Sequence, residues 1–399
     1  MSERTAPTAN LRDSSERGTA LGRERWALGL ISAGHYLSHF YGLVLPPLFP
    51  LLKAEFGVSY FELGMAMTAY GLLGGFLQAP VGFLVDHLGP RRVLLSGLGL
   101  ISVSVLLMGF VDAYWMLLVL AVFAGLGNSV FHPADYAILG GSIGERRLGR
   151  AYSFHTFSGF LGGACAPVVM LTLAELTDWR TALIATGAVG LCVLALMTFR
   201  RNVLDGENYT KTAGGEKSVA SSGFILYGMA SGGLLAFTVS GLVNLHGLGL
   251  DIANTALTAH LFGVVGGILL AGMIADRYPR HIVTAGGALL LAAGAAVLPA
   301  VFVPSGGALL VIMTVAGVGL GAVLPPRDLM LKALTPPGQT GKVFGFVFVG
   351  YAIGGSIAPL LLGSFLDAGR PELVFLVSSG FAILALVAIT AVRALTPRT

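Results

Sequence analysis

Apolar residues in this chain come in runs long enough to cross a bilayer, separated by short polar breaks. Twelve such runs can be drawn, over residues 26–52, 58–85, 91–111, 113–143, 149–175, 179–200, 223–247, 252–276, 281–303, 306–334, 340–366 and 371–393. A helix needs about 20 apolar residues to span the hydrocarbon core, and the longer runs suit tilted helices. Only one polar interval between runs is long: residues 201–222, RNVLDGENYTKTAGGEKSVASS, near the midpoint. The pattern predicts an all-α membrane protein with twelve transmembrane helices in two six-helix bundles. These are residues 26–200 and 223–393, joined by the 201–222 linker. Residues 1–25 read as a polar, disordered tail and residues 394–399 as a second, short one.

Composition agrees. The chain is 55% hydrophobic and 11% charged, with a mean hydropathy of +0.82; soluble domains carry roughly 25% charged residues. The net charge of +4 comes from loops between runs, so it marks no nucleic-acid surface. Residues 1–25 lack the apolar core of a signal peptide, so the first run is expected to stay as a helix. Cys165 and Cys192 lie inside apolar runs, which argues against a disulfide framework or a paired metal motif. With the N-terminus inside, twenty of the 24 basic residues fall on inner segments and only Lys53, Arg180 and Arg370 on outer ones. The positive-inside rule then places both termini in the cytoplasm. Arg327 belongs to neither side.

The chain repeats. Residues 82–95, GFLVDHLGPRRVLL, squeeze a tight polar turn between two runs, with Gly82, Asp86, Gly89, Arg91 and Arg92 as the notable positions. Residues 272–283, GMIADRYPRHIV, do the same with Gly272, Asp276, Arg277 and Arg280, and Asp276 lies 190 residues after Asp86. Residues 125–150 align with 317–342 at an offset of 192, pairing Gly125, Gly127, Pro133 and Arg150 with Gly317, Gly319, Pro325 and Lys342. The same offset lays GGACAP (162–167) on GGSIAP (354–359) and Asp135 on Arg327. A repeat of this length means two structural halves.

Ionisable groups inside membrane spans are costly and mark function. The first run has His35 and His39 one turn apart; the fourth has Asn128, His132 and Asp135 at i, i+4 and i+7; the fifth has Tyr152 and His155. Histidine titrates near physiological pH, and a neighbouring carboxylate shifts it across that range. The first reading is therefore a cluster that handles protons and contacts substrate. The second is structural, with the histidines hydrogen-bonding between helices. A third, metal coordination by His35, His39, His132 and Asp135, ranks last, because two histidines at i and i+4 are a weak metal signal. Arg327 suits an anionic group, which guanidinium grips as a fork; its alternatives are pairing with Asp135 across the halves or with the adjacent Asp328. No nucleophile–base arrangement or cofactor loop is present, so neither an enzyme nor a cofactor is expected.

The two loops at 82–95 and 272–283 resemble the signature loops of the major facilitator superfamily, which join helices 2 and 3, and 8 and 9, on the cytoplasmic side. The resemblance implies two bundles around a central cavity lined by helices 1 and 4, with helix 5 at the seam, working as a monomer in the cytoplasmic membrane. It also implies that the loops control conformational change. GHYLSHFYGLVLPPLFPLLKAEFG (34–57), QAPVG (78–82) and GNSVFHP (127–133) are similar to the fosmidomycin-resistance branch. That likeness implies proton-coupled efflux of a small anionic compound. G-x-x-G-G-x-x-A-P (159–167) is similar to the antiporter motif of drug exporters, but Ala166 stands where that motif has glycine. A symporter importing a carboxylate nutrient would use the same cluster. A sensor that binds without transporting is disfavoured by the short tail and linker.

Overall fold

The computed structural model describes residues 8–204, 221–275, 277–278, 280–333 and 340–395. Among them the structure is helical throughout. The first half contains α1 (Thr8–Tyr41), α2 (Phe49–Phe56), α3 (Tyr60–Phe76), α4 (Gln78–Leu88), α5 (Pro90–Met108), α6 (Tyr114–Asn128), α7 (Phe131–Ser142), α8 (Glu145–Leu176) and α9 (Trp179–Phe199). The second contains α10 (Ser221–His246), α11 (Leu250–Ala275), α12 (His281–Val301), α13 (Gly306–Ala322), α14 (Leu324–Ala333), α15 (Thr340–Asp367) and α16 (Glu372–Leu395). Residues 205–220 of the linker, and Asp276 of the second signature loop, lie outside the described residues.

The breaks within runs each have a proline beside them, which removes one N–H from the i→i−4 ladder and crowds the carbonyl four residues back, although Pro167, Pro299 and Pro359 stay inside continuous helices. Pro46 and Pro47 end the first run early, so the expected 26–52 helix is α1, a short 3-10 turn at Pro46–Leu48, and α2. Pro80 sits in the first turn of α4, and the span bends there by 57°. Pro133 and Pro325 are repeat mates. Each follows a break, between α6 and α7 in one half and between α13 and α14 in the other. At the membrane ends, Ser59 and Glu62 form a reciprocal capping box that starts α3. Asp178 caps α9 through the Thr181 N–H at 2.7 Å, which holds its carboxyl below the usual carboxylate range.

Two expectations change. Residues 8–25, read as a disordered tail, continue α1 outward as helix. The count of spans also shifts: among the described residues ten helices are long and apolar enough to cross a membrane, or eleven if the bent pair α3 and α4 is one span. The remaining one of the twelve runs is α1. His35, Tyr36, His39 and Tyr41 dilute its apolar stretch, so it is helical without reaching that hydropathy.

Within the first half α1 packs on α8, α5 on α6 and α9, and α3 on α6; within the second, α10 packs on α15 and α16, and α12 on α13 and α16. The halves meet along two seams, α3 against α15 and α8 against α11. Glycine makes the first seam close: a Cβ on Gly64 would stand 2.6 Å from the Pro359 carbonyl oxygen, and one on Gly71 the same distance from Ser356 Oγ. Both contacts use the GGSIAP segment. Across the second seam Asn254 donates to the Pro167 carbonyl at 2.7 Å, using the repeat copy of that segment, GGACAP. At the end away from the termini the Tyr60 N–H at the start of α3 donates to Asp367 at the end of α15, so the halves are closed against each other there.

Candidate functional site

His35 and His39 leave α1 on one face, as their spacing requires. α7 brings His132 and Asp135, and α8 brings His155, to the same place. His35 and His155 lie ring on ring, with centroids 3.8 Å apart. The His35 ring is 4.7 Å from that of His39 and 5.1 Å from that of His132. Asp135 sits at the centre with Oδ2 3.4 Å from His35 Nδ1 and 3.7 Å from His155 Nε2. Asp135 and His155 are 0% exposed and His35 is 3% exposed, whereas His39 and His132 are half-buried and form the open side of the cluster.

Both distances exceed the 2.7–3.2 Å of an N–H···O hydrogen bond. Both oxygens of Asp135, Nδ1 of His35 and both ring nitrogens of His155 are buried with no hydrogen-bond partner among the described residues. An unpaired buried polar atom costs about 1–3 kcal/mol. A neutral imidazole already carries one N–H and its protonated form carries two, so either histidine can present a donor to Asp135 at the expense of only a few tenths of an ångström of movement. The arrangement is thus able to hold one shared proton between a carboxylate and two imidazoles.

A metal ion is the other candidate occupant. His35, His132 and His155 can each offer one nitrogen, all within 4.8 Å of one another. Ligands around a tetrahedral zinc ion, at about 2.0–2.1 Å from the metal, stand only about 3.4 Å apart. His35 and His155 are stacked ring on ring, so their in-plane lone pairs do not converge on one point. The set does not have coordination geometry as it stands.

Sequence reading missed two members. Gly159 makes the cluster possible: a Cβ there would stand 2.6 Å from His35 Cδ2 and 2.9 Å from His39 Cδ2. The glycine of the 159–167 motif is thus a seat for the imidazoles. Tyr136, four residues after His132 and exposed at 43%, bridges the cluster outward. Its ring lies 5.7 Å from His155, 6.2 Å from His132 and 5.0 Å from Tyr152. The i+4 spacing from His132 was the available signal. Tyr152 contacts Tyr136, which in turn reaches His132 and His155. Asn128 was expected on one face with His132 and Asp135. The break at Ser129 and Val130 separates it from them, and its amide lies 2.9 Å from where a Cβ on Gly74 of α3 would be.

Arg327, on α14, does not pair with Asp135. Its Nε and Nη2 donate to Asp328 Oδ1 at 2.9 and 2.8 Å, and its guanidinium lies over the Phe224 and Tyr227 rings at 5.0 and 5.7 Å. Asp328 in turn lies within electrostatic reach of Tyr136 in the opposite half. In the first signature loop Gly89 has φ 84° and ψ 145°, and both ends α4 and starts α5, so this glycine makes the tight turn. Asp86 and Arg91 each have a partner, and Arg92 is exposed. Gly82 and Gly272 have open space around them, so close packing does not explain them. Arg277 and Arg280 are exposed, and Arg280 donates to the Tyr278 hydroxyl at 3.2 Å.

A family model described as the Major Facilitator Superfamily matches residues 29–246 and 219–399, one match for each half. The chain belongs to the major facilitator superfamily. Members of the superfamily are multi-pass membrane transporters of small molecules, so the chain is a transporter and not an enzyme. It is 26% identical to the fosmidomycin resistance protein of Escherichia coli (strain K12), over 98% of this chain and 97% of that protein. Shorter matches include the D-galactonate transporter of Escherichia coli O6:H1, 25% identical over 37% of this chain and 34% of that one. Another is the cephamycin export protein of Amycolatopsis lactamdurans, 29% identical over 43% and 35%. A solved bacterial homologue of the human lysosomal transporter Spinster, inward-facing and occupied, shares the superfamily fold with a TM-score of 0.74. It is 16% identical, over 92% of this chain and 97% of that one.

Proposed function

We propose that this transporter couples a proton gradient to the export of a small organic anion across the cytoplasmic membrane. It works as a monomer of twelve spans with both termini in the cytoplasm. Residues 26–200 and 223–393 move against each other about the central cavity, and the 201–222 linker stays on the cytoplasmic side. The observation that carries the coupling role is the buried Asp135 carboxylate held just short of hydrogen bonding by His35 and His155. His39 and His132 then pass the proton between this core and the cavity.

Export is supported by the likeness to the fosmidomycin resistance protein, which spans nearly the whole chain. Import of a carboxylate nutrient is the second reading, supported by the shorter likeness to the D-galactonate transporter. Arg327 is the candidate anion contact. Its guanidinium is shared with Asp328, so an arriving carboxylate or phosphonate would compete with that neighbour.

Purified protein in vesicles with an imposed pH gradient tests the coupling. Asp135→Asn, and separately His155→Gln, are expected to abolish gradient-driven accumulation while substrate exchange at equal pH continues. If every single replacement in the cluster still couples to the gradient, the cluster is structural. Vesicles of known orientation then decide direction, since an importer accumulates substrate against the opposite gradient.

A further inference from the structure

At the end of the molecule away from its termini, one residue of the first half is gripped by the second half at three points. The Tyr60 N–H donates to Asp367 Oδ1 at 2.8 Å. Its hydroxyl accepts from Asn244 Nδ2 at 3.1 Å. Its carbonyl oxygen lies 2.7 Å from where a Cβ on Gly363 would be. The other Asp367 oxygen accepts from the Phe61 N–H at 2.8 Å, and Lys53 Nζ stands 3.4 Å from Oδ1.

Tyr60 and Phe61 are the first two residues of α3, and a helix leaves its first four N–H groups without internal partners. Ser59 serves the next donors from within the half, its hydroxyl taking the Glu62 N–H and its carbonyl the Leu63 N–H. Asp367, at the last position of α15, takes the first two from across the seam. The start of α3 is therefore capped in trans, by a negative charge at the positive end of the helix. Separating the halves at this end strips those donors of their acceptor. Glu175, which the 192-residue repeat makes the counterpart of Asp367, is exposed at the end of α8 and makes no such bond among the described residues. Among the described residues the device exists on one seam only.

We propose that Asp367 is the latch of this closed end: a positioning residue that sets the balance between the closed and open states without touching substrate. Gly363 is its companion. A side chain there would press on backbone atoms of Tyr60 and Phe61, the latter 2.9 Å away at Cα, and neither can move without parting the seam. The proposal reaches beyond proton coupling and holds for either direction of transport.

The test uses full-length protein with Cys165 and Cys192 replaced by serine and one reporter, Thr68→Cys, buried in the α3–α15 seam. The readout is its rate of modification by a membrane-impermeant maleimide. Asp367→Asn loses one of the two N–H acceptors and the charge, and is expected to raise that rate on the order of tenfold, the equivalent of about 1.4 kcal/mol. Gly363→Ala is expected to raise it as well. Asp178→Asn is the control, because Asp178 caps α9 within one half. It is expected to lower thermal stability and leave the reporter rate unchanged. The latch is overturned if folded Asp367→Asn protein labels at the parent rate, or if Asp178→Asn raises the rate equally. Should Gly363→Ala not fold, Asp367→Asn decides alone. Neither substrate nor proton gradient enters this readout, so its failure leaves the coupling proposal untouched.

Discussion

Gly159 shows how much a single missing methyl group does at the residue scale. Two imidazoles of α1 occupy the space that a side chain on α8 would fill. Gly159→Ala should push His35 and His39 away from Asp135, at a strain of about 1–3 kcal/mol. The expected outcome is folded protein with a lower melting temperature and gradient-driven transport reduced at least to the same degree as in His155→Gln. Binding of substrate in the absence of a gradient is the control, and should change less. Arg327 offers a second comparison. Asp135 and Arg327 are repeat mates, yet Arg327 bonds to its sequence neighbour. The exchange Asp135→Arg with Arg327→Asp should therefore restore nothing. Arg327→Lys should weaken substrate affinity because the fork is lost, and binding and transport assays on the two variants separate these outcomes.

Among the elements, the signature loop between α4 and α5 turns on a single residue. Gly89 alone separates the two helices, with a backbone conformation that L side chains rarely adopt. Gly89→Ala should cost about 1–3 kcal/mol in stability, read as a lower midpoint of thermal unfolding. Asp86→Asn should act differently, slowing turnover while leaving equilibrium substrate binding near the parent value. A loss of binding with normal turnover would remove the loop from conformational control. The broken helices belong to this scale too. Because α7 starts anew at Phe131, His132 and Asp135 take their direction from α7 and not from α6, which carries Asn128.

For the whole molecule, topology is the first thing to measure. Cysteines placed in the 201–222 linker should be labelled only from the cytoplasm, and Asp178→Cys only from outside. Linker labelling from outside in intact cells would reverse the arrangement. With that orientation the end closed by Tyr60 and Asp367 faces outward. The two seams then differ in character. α3 against α15 is lined by glycine and latched by a carboxylate, whereas α8 against α11 is held by the Asn254 amide. The first should be the harder to open, and cysteine cross-links across each seam, compared for their effect on transport, measure that difference.

Bilayer length acts locally, and so the sequence alone determined the runs, the two-fold repeat and the identity of the polar intramembrane residues, but not the breaks inside the runs. A run of apolar residues is helical in lipid because its backbone has no other partner, whereas proline breaks a helix only in some surroundings: Pro133 and Pro325 follow breaks, but Pro167, Pro299 and Pro359 lie inside continuous helices. Which face of each helix turned inward was not legible. Large apolar side chains face lipid as readily as core: Phe83 is 71% exposed while Phe49 is fully buried. Hydropathy therefore carries no inside–outside contrast. Helix spacing put His35 beside His39, but only the packing of α1, α7 and α8 could bring His155 and Asp135 to them. Equally, nothing near Tyr60 in the chain announces Asp367, which lies 307 residues away. Contacts between helices depend on how closely their backbones approach, and that is decided by glycines whose partners exist only in the folded molecule.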